Sequence, residues 1–486
     1  MLKNKKEYLF FLCCVLVCVF PLFVMEYSTD TYHFALVSLK DGLGAGMKYN
    51  GRFITALSAY LLDAIGCNIV QYYYFSFIVA ILCTSLAVYH VHSILKGHMS
   101  RRVAFFLAFI TVFNPLVIEF FLFIEKGAFA FAILMSVLSV KNFVYFLRGN
   151  RKRIIFSYLY LSLAACTYQL LASVFVTLAV VFIVIYSKNI KEFCINNLIA
   201  ISVYGFANLV DLLLLKIFNP SNIRMSEKLN LSNIHKYYFI TERDWVIFVY
   251  IAVFVAVLCA FGYFGKRKYG SYFAKESMVC FGKYFYIFAG TSLAAAVPFI
   301  FVNPVEVWMM FRTTYSLGVL LGAIPISILY KVGGVYEKEA PPFDKSVRCG
   351  SIVMIAILAV ELIFFHTMIF SRIKNNVEDE KLCEEIGMII DEYERETGER
   401  ILYVSIYYDQ SITLRNKGVL MIGDCNVRAF SKTWSDVNHM NCLLGGRFTK
   451  VENNEEYAKE FSSRDWTSFD REQMMFDGQT LHLCVY

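Results

Sequence analysis

Apolar runs of roughly twenty residues recur along this chain, and no other feature of the sequence constrains its fold so strongly. A helix rises about 1.5 Å per residue, so about 20 apolar residues cross a hydrocarbon core about 30 Å thick. Runs that qualify, alone or across a polar break, fall at roughly 8–25, 71–95, 103–121, 128–147, 154–168, 170–187, 195–217, 245–264, 278–302, 314–330 and 350–370. Residues 154–187 form one run too long for a single crossing. A hairpin turning near Tyr168 and Gln169 resolves it. The expected architecture is therefore an all-α polytopic membrane domain of about eleven helices, residues 1–370, followed by a small soluble domain, residues 371–486.

Composition agrees. Hydrophobic residues make up 58% of the 486 and charged residues only 17%, where a soluble domain carries about 25% charged. The net charge of +7 does not mark a nucleic-acid binder, because the basic residues sit in short clusters between apolar runs and form no stripe. With the N-terminus cytoplasmic, the segments expected inside hold 20 Lys and Arg and those expected outside hold 9. That bias follows the positive-inside rule and places the C-terminal domain outside. The first apolar run follows Lys3, Lys5 and Lys6 and lacks a small-x-small cleavage site, so it reads as an uncleaved first helix.

The C-terminal segment has its own pattern. Leu382, Ile386, Ile389, Ile390 and Tyr393 share one face of a helix expected over 378–396, which Gly398 stops. Ile401 to Tyr408, Gly418 to Ile422 and Leu481 to Tyr486 read as short strands, giving an α/β or α+β domain. Of 14 cysteines, only Cys383, Cys425, Cys442 and Cys484 lie in this domain. None has CxxC spacing, which argues against zinc and leaves the disulfide state open.

Ionisable groups at span ends are the informative residues of a membrane protein, because each costs a few kcal/mol unless paired or wetted. Here they gather at the ends expected outside: Asp30, Asp41 and Arg52 after the first helix, Glu119, Glu125 and Lys126 between the third and fourth, and Glu306, Trp308 and Arg312 near the tenth. Tyr168 and Gln169 mark the hairpin turn, and Arg224 to Asp244 a long loop. Ser28 or Thr29 leaves a second role open for Asp30, as a helix cap. Gly42, Gly44 and Gly46 lack the strand and the Lys-Ser/Thr of a phosphate loop and read as a flexible turn. Arg52 and Lys126 suit phosphate chemically, or serve as interfacial anchors. Asp211 and Lys216 are expected in the outer half of the seventh helix, open to a wet cavity. His33 and His235 lack neighbouring ligands, so no metal is assigned. Tyr32, Tyr168 and Trp308 are candidates to stack on a sugar ring.

The order of these pieces resembles the Gtr type II glucosyltransferases, O-antigen-modifying enzymes with a GT-C-like architecture. The resemblance rests on Asp30 in Ser-Thr-Asp-Thr, Gly51-Arg52-Phe53, Asn114-Pro115 to Glu119, Phe123-Ile-Glu125-Lys126 and Thr167-Tyr168-Gln169. It runs over roughly residues 8–330. Such enzymes often carry two adjacent acids after the first helix, whereas threonines flank Asp30, so Asp41 and Glu119 stand as alternatives for the base.

The resemblance implies a polyprenyl-phosphate sugar donor, glucose by preference, and a cell-envelope glycan acceptor at the outer face of a bacterial inner membrane. It also implies a flippase and a lipid-glucose synthase as working partners, and no nucleotide-sugar fold. Asp30 is then the base, with Arg52, Lys126 and Arg312 at the donor phosphate, Glu125 and Gln169 at sugar hydroxyls, and no assigned cofactor. A lipid-linked glycan transporter and an O-antigen-polymerase-like enzyme are the rivals. A transporter calls for ionisable residues near the bilayer midplane, and a polymerase for key residues in large late loops such as 218–243.

Overall fold

The computed structural model describes residues 5–218, 229–239, 275–304, 310–327, 344–408, 425–463, 466 and 468–485. The chain is mostly helical and ends in a small sheet. The first half runs α1 (Lys5–Val19), α2 (Thr29–Ala35), α3 (Ala45–Tyr49), α4 (Phe53–Ala64), α5 (Ile69–Leu95), α6 (Arg101–Val112), α7 (Ile118–Phe121), α8 (Lys126–Leu147), α9 (Arg153–Thr167), α10 (Ser173–Tyr186) and α11 (Ile190–Phe218). Then come α12 (Ser232–Phe239), α13 (Lys275–Ala296), α14 (Phe311–Gly318) and α15 (Asp344–Thr397).

Among the described residues, seven helices are long and apolar enough to cross a membrane: Lys5–Phe23, Ile69–Leu95, Arg101–Phe121, Lys126–Leu147, Gln169–Tyr186, Ile190–Phe218 and Ile355–Thr397. Phe53–Ala64, Arg153–Thr167 and Phe285–Ile300 are apolar but shorter. The run expected at 245–264 lies outside the described residues, so seven such helices stand against the eleven crossings expected.

Local chemistry sets the helix boundaries. Asn68 accepts the Gln71 N–H while Gln71 accepts that of Asn68, both at 2.9 Å, a reciprocal cap that starts α5. Tyr168 takes an extended conformation, φ −160° and ψ 106°, and breaks the long apolar run between α9 and α10. The chain turns back there: at the far end of α10, Tyr186 accepts a 2.9 Å hydrogen bond from Arg148, whose guanidinium also meets His98 at 2.7 Å. At that same end Lys96 and Arg101 pair with Glu7 at 3.1 and 3.2 Å. The first, second, third, fourth and sixth of the expected spans thus bring their basic ends together. The loops after α1 and before α8, the Tyr168 break and the start of α14 meet at the opposite end.

Gly42 and Gly44 depart from the flexible turn expected of them. Residues Lys40–Gly44 form a π-helical turn packed under α4. A Cβ on Gly42 would stand 2.7 Å from Val37, and one on Gly44 2.8 Å from Tyr60. These glycines allow close packing, a role that their spacing does not reveal.

The span expected at 350–370 and the helix expected at 378–396 are joined in α15, a single helix of 54 residues. No glycine or proline interrupts Ser371 to Val377, Gly387 stays within the helix, and the helix ends at Gly398, whose φ is +75°. Beyond it lie β1 (Tyr403–Tyr408), α16 (Asp436–Leu444), β2 (Thr449–Lys450), α17 (Glu455–Ser462), β3 (Met474–Asp477) and β4 (Thr480–Val485). The sheet order is β2-β1-β4-β3, with β1 parallel to β2 and β4 and β3 antiparallel to β4. Leu382, Ile386 and Ile390 from α15 pack with Val404, Ile406, Leu481 and Leu483 into its core. The strand expected at 418–422 lies outside the described residues. Cys383 and Cys442 carry free thiols on the packed helices α15 and α16.

Candidate active site

The site is built where the chain has reasons to leave the helix. Gly51 has φ +76°, a conformation that an L side chain adopts only at a cost. The turn it makes is held by Gln169, whose amide donates to the Asn50 and Gly51 carbonyls at 3.4 and 3.3 Å. Arg52 follows at the start of α4. Its guanidinium lies 3.1 Å from Glu125 and stacks over the Tyr168 ring, 4.7 Å from the centroid. Three expected site residues from separate loops therefore form one contact group with Arg52 at its centre.

A second pair adjoins it. Asn114 accepts the Leu116 N–H at 3.1 Å, and Pro115 starts the turn that leads to α7. This places Glu119, fully buried, to accept from the Arg312 backbone N–H at 2.6 Å and from its guanidinium at 3.2 Å. The Arg312 guanidinium also lies over Phe123, 4.3 Å from the centroid. The charges of Arg52, Arg312, Glu119 and Glu125 all bear on the Tyr168 hydroxyl, so the two pairs share one field. Burial pushes the Glu125 carboxyl above its ordinary range; Arg52 opposes that, and the negative charge of Asp30 adds to it.

Asp30 stands at the edge of this group. Ser28 takes the N-cap of α2, which leaves Asp30 in the first turn, partly exposed and without a hydrogen-bond partner among the described residues. It lines a cleft of about 480 Å³ between α2 and the C-terminal domain. Asp41 is exposed instead, and its carboxylate accepts from Ser38 at 2.9 Å.

Lys126 belongs elsewhere. It is completely buried, 3.4 Å from Glu26 and 3.7 Å above the Tyr73 ring. Arg372, also buried, approaches the other Glu26 oxygen at 3.5 Å and donates to the Val427 carbonyl at 2.8 Å. Asp211 is buried beside Gln169, whereas Lys216 is exposed, so α11 presents them on different faces. Tyr32 is buried between Tyr27 and His439, and Tyr168 lies under Arg52, so neither offers an open face to a sugar. Glu306, Trp308, Arg224 and Asp244 lie outside the described residues.

Sequence reasoning missed Glu26 as an ion partner, and Arg372 and Trp434 altogether. An Arg at the end of an apolar run reads as an interfacial anchor. A charge that instead pairs across 346 positions leaves no local signal.

The fold and these charged loop ends define a multi-pass helical membrane protein with a small mixed-sheet domain docked on one end. Compared with known proteins, the chain matches no family model, no curated protein and no solved structure.

Proposed function

We propose that this chain is a membrane glycosyltransferase. It moves a sugar, glucose by the resemblance, from a polyprenyl-phosphate donor to an envelope glycan on the outer face of a bacterial inner membrane. In this reading the N-terminus is cytoplasmic, the chain crosses about eleven times, and the C-terminal domain is extracytoplasmic. The observation that carries it is the position of Asp30. This carboxylate lines an open cleft, and its negative charge bears on the Glu125 carboxyl that pairs with Arg52.

The chemistry follows from that position. An acceptor hydroxyl attacks the anomeric carbon, and Asp30 takes its proton. The bond from that carbon to the phosphate oxygen breaks, and the electron pair leaves on polyprenyl phosphate. Arg52 and Arg312 stabilise the charge that grows there; each guanidinium has five donors and can serve a carboxylate and a phosphate together. Glu125 and Gln169 set the aim of Arg52, and Lys126 supports the frame through Glu26.

A transporter of lipid-linked glycan is the second reading. Glu361 favours it, because this carboxyl is buried within α15 and both its oxygens lack hydrogen-bond partners among the described residues. The deciding experiment is transfer of radiolabelled glucose from polyprenyl-phosphate glucose to envelope glycan, in membranes holding wild type or Asp30→Asn. Transfer by wild type alone, at equal expression, supports the enzyme and its base. Transfer by both moves the base to Glu119 or Asp41. No transfer with glucose or any other sugar donor favours the transporter.

A further inference from the structure

The cleft beside Asp30 has a chemistry of its own. Its volume of about 480 Å³ falls within the 300–1,000 Å³ range typical of small-molecule sites. One wall is α2, with Asp30 and His33; the other is the C-terminal domain, with Trp434, Asn438 and Lys450. Trp434 is half exposed, although a large apolar ring gains from burial, and it stands one residue before the N-cap of α16. Lys450 pairs with Asp436 at 2.5 Å, so the cleft holds no surplus of positive charge. That makes it a poor seat for a phosphate, which the arginine side supplies better.

We propose that this cleft binds the acceptor as a neutral carbohydrate chain. A sugar ring has an apolar C–H face and a rim of hydroxyls. The half-exposed Trp434 indole, with the Lys432 ammonium 5.3 Å from its centroid on one side and carboxylate, imidazole and amide groups around the cleft, matches both parts. The inference rests on the glycosyltransferase reading, because it assigns the cleft to the substrate whose hydroxyl Asp30 deprotonates. It adds a direction of approach: acceptor from the C-terminal domain, donor phosphate from Arg52 and Arg312, with Asp30 between them.

The test uses the full-length chain in nanodiscs. Equilibrium dialysis would measure binding of two tritiated probes, the polysaccharide released from the host envelope by mild acid and maltohexaose. Loss of one aromatic platform predicts binding weakened at least about fivefold in Trp434→Ala, with Trp434→Phe retaining most of it. In the transfer assay the Ala change should raise the KM for acceptor and leave that for donor where it was. Equal binding by wild type and Trp434→Ala overturns the inference, as does failure of the wild-type chain to bind either probe. Binding that depends on Trp434 in a chain that transfers no sugar keeps the cleft and removes the enzyme. Transfer whose acceptor KM ignores Trp434 keeps the enzyme and removes the cleft.

Discussion

Glu26→Gln is the substitution whose cost the structure specifies best. The carboxylate lies 3.4 Å from the Lys126 ammonium and 3.5 Å from the Arg372 guanidinium, with all three side chains at most 1% exposed. At an effective dielectric of about 20, each contact is worth about 5 kcal/mol of Coulomb attraction. Desolvation offsets most of that gain in the intact cluster. Once the anion is gone, the desolvation remains and the attraction does not, and such losses run to about 3–5 kcal/mol. Neither buried cation can reach water without moving α8 or α15.

The expected result is destabilisation by about 3–5 kcal/mol, read by SDS-titrated unfolding of the full chain in mixed micelles. The C-terminal domain should loosen first, because Arg372 also holds the Val427 carbonyl. Replacing Glu26, Lys126 and Arg372 together by Met should recover most of the loss, since apolar packing often matches a buried ionic cluster. A Gln variant within about 1 kcal/mol of wild type would refute the claim that this cluster is dry and ionised.

Three further outcomes are expected. Gly51→Ala should cost about 1–2 kcal/mol in thermal unfolding, because φ is +76° and the new Cβ meets the Gln169 amide at 2.7 Å. The same change in a Gln169→Ala background should cost less, and an equal cost would mean that the contact is unimportant. Arg52→Lys keeps the charge but loses the fork and the stack on Tyr168, so the donor KM should rise about tenfold; unchanged donor kinetics would remove Arg52 from the site. Finally, burial and then the Arg428 charge lower the His439 pKa to about 3. The unfolded chain therefore binds the extra proton first. Its contribution is complete above pH about 6.5 and is lost as the pH falls towards 3, amounting to up to about 5 kcal/mol. His439→Phe should flatten that part of the acid unfolding curve; identical curves for both chains would sink the assignment.

What the sequence made legible was whatever depends on short spacing. The break at Tyr168, the apolar face of 378–396 and its stop at Gly398 follow from residues within a few turns of one another. Arg52, Glu125, Tyr168 and Arg312 could be gathered as candidates because span ends make charges conspicuous. Their pairing could not be read. Arg52 meets Glu125 across 73 positions and Arg312 meets Glu119 across 193, and no periodicity encodes such closures. The same gap hid the buried state of Lys126, since a span-end lysine looks alike whether it faces lipid headgroups or Glu26. The continuity of α15 was lost for another reason. A change from apolar to amphipathic composition suggested a boundary, although nothing between Ser371 and Val377 breaks a helix.

That continuity makes α15 both a ruler and a phase setter. A helix of 54 residues is about 80 Å long, and each residue added advances it about 1.5 Å and rotates the chain beyond it by about 100°. The C-terminal domain is therefore indexed to the membrane half by an axle, with none of the play a tether would give. His439 meets Tyr32, and the Cys442 thiol reaches the Tyr32 carbonyl at 3.2 Å, only at one angular setting. One extra residue between 371 and 377 would turn the domain away from α2, and a seven-residue insert would nearly restore its angle while lifting it about 10 Å. Length variation in that stretch is thus closed to this chain, even though the sequence there looks like an ordinary connection.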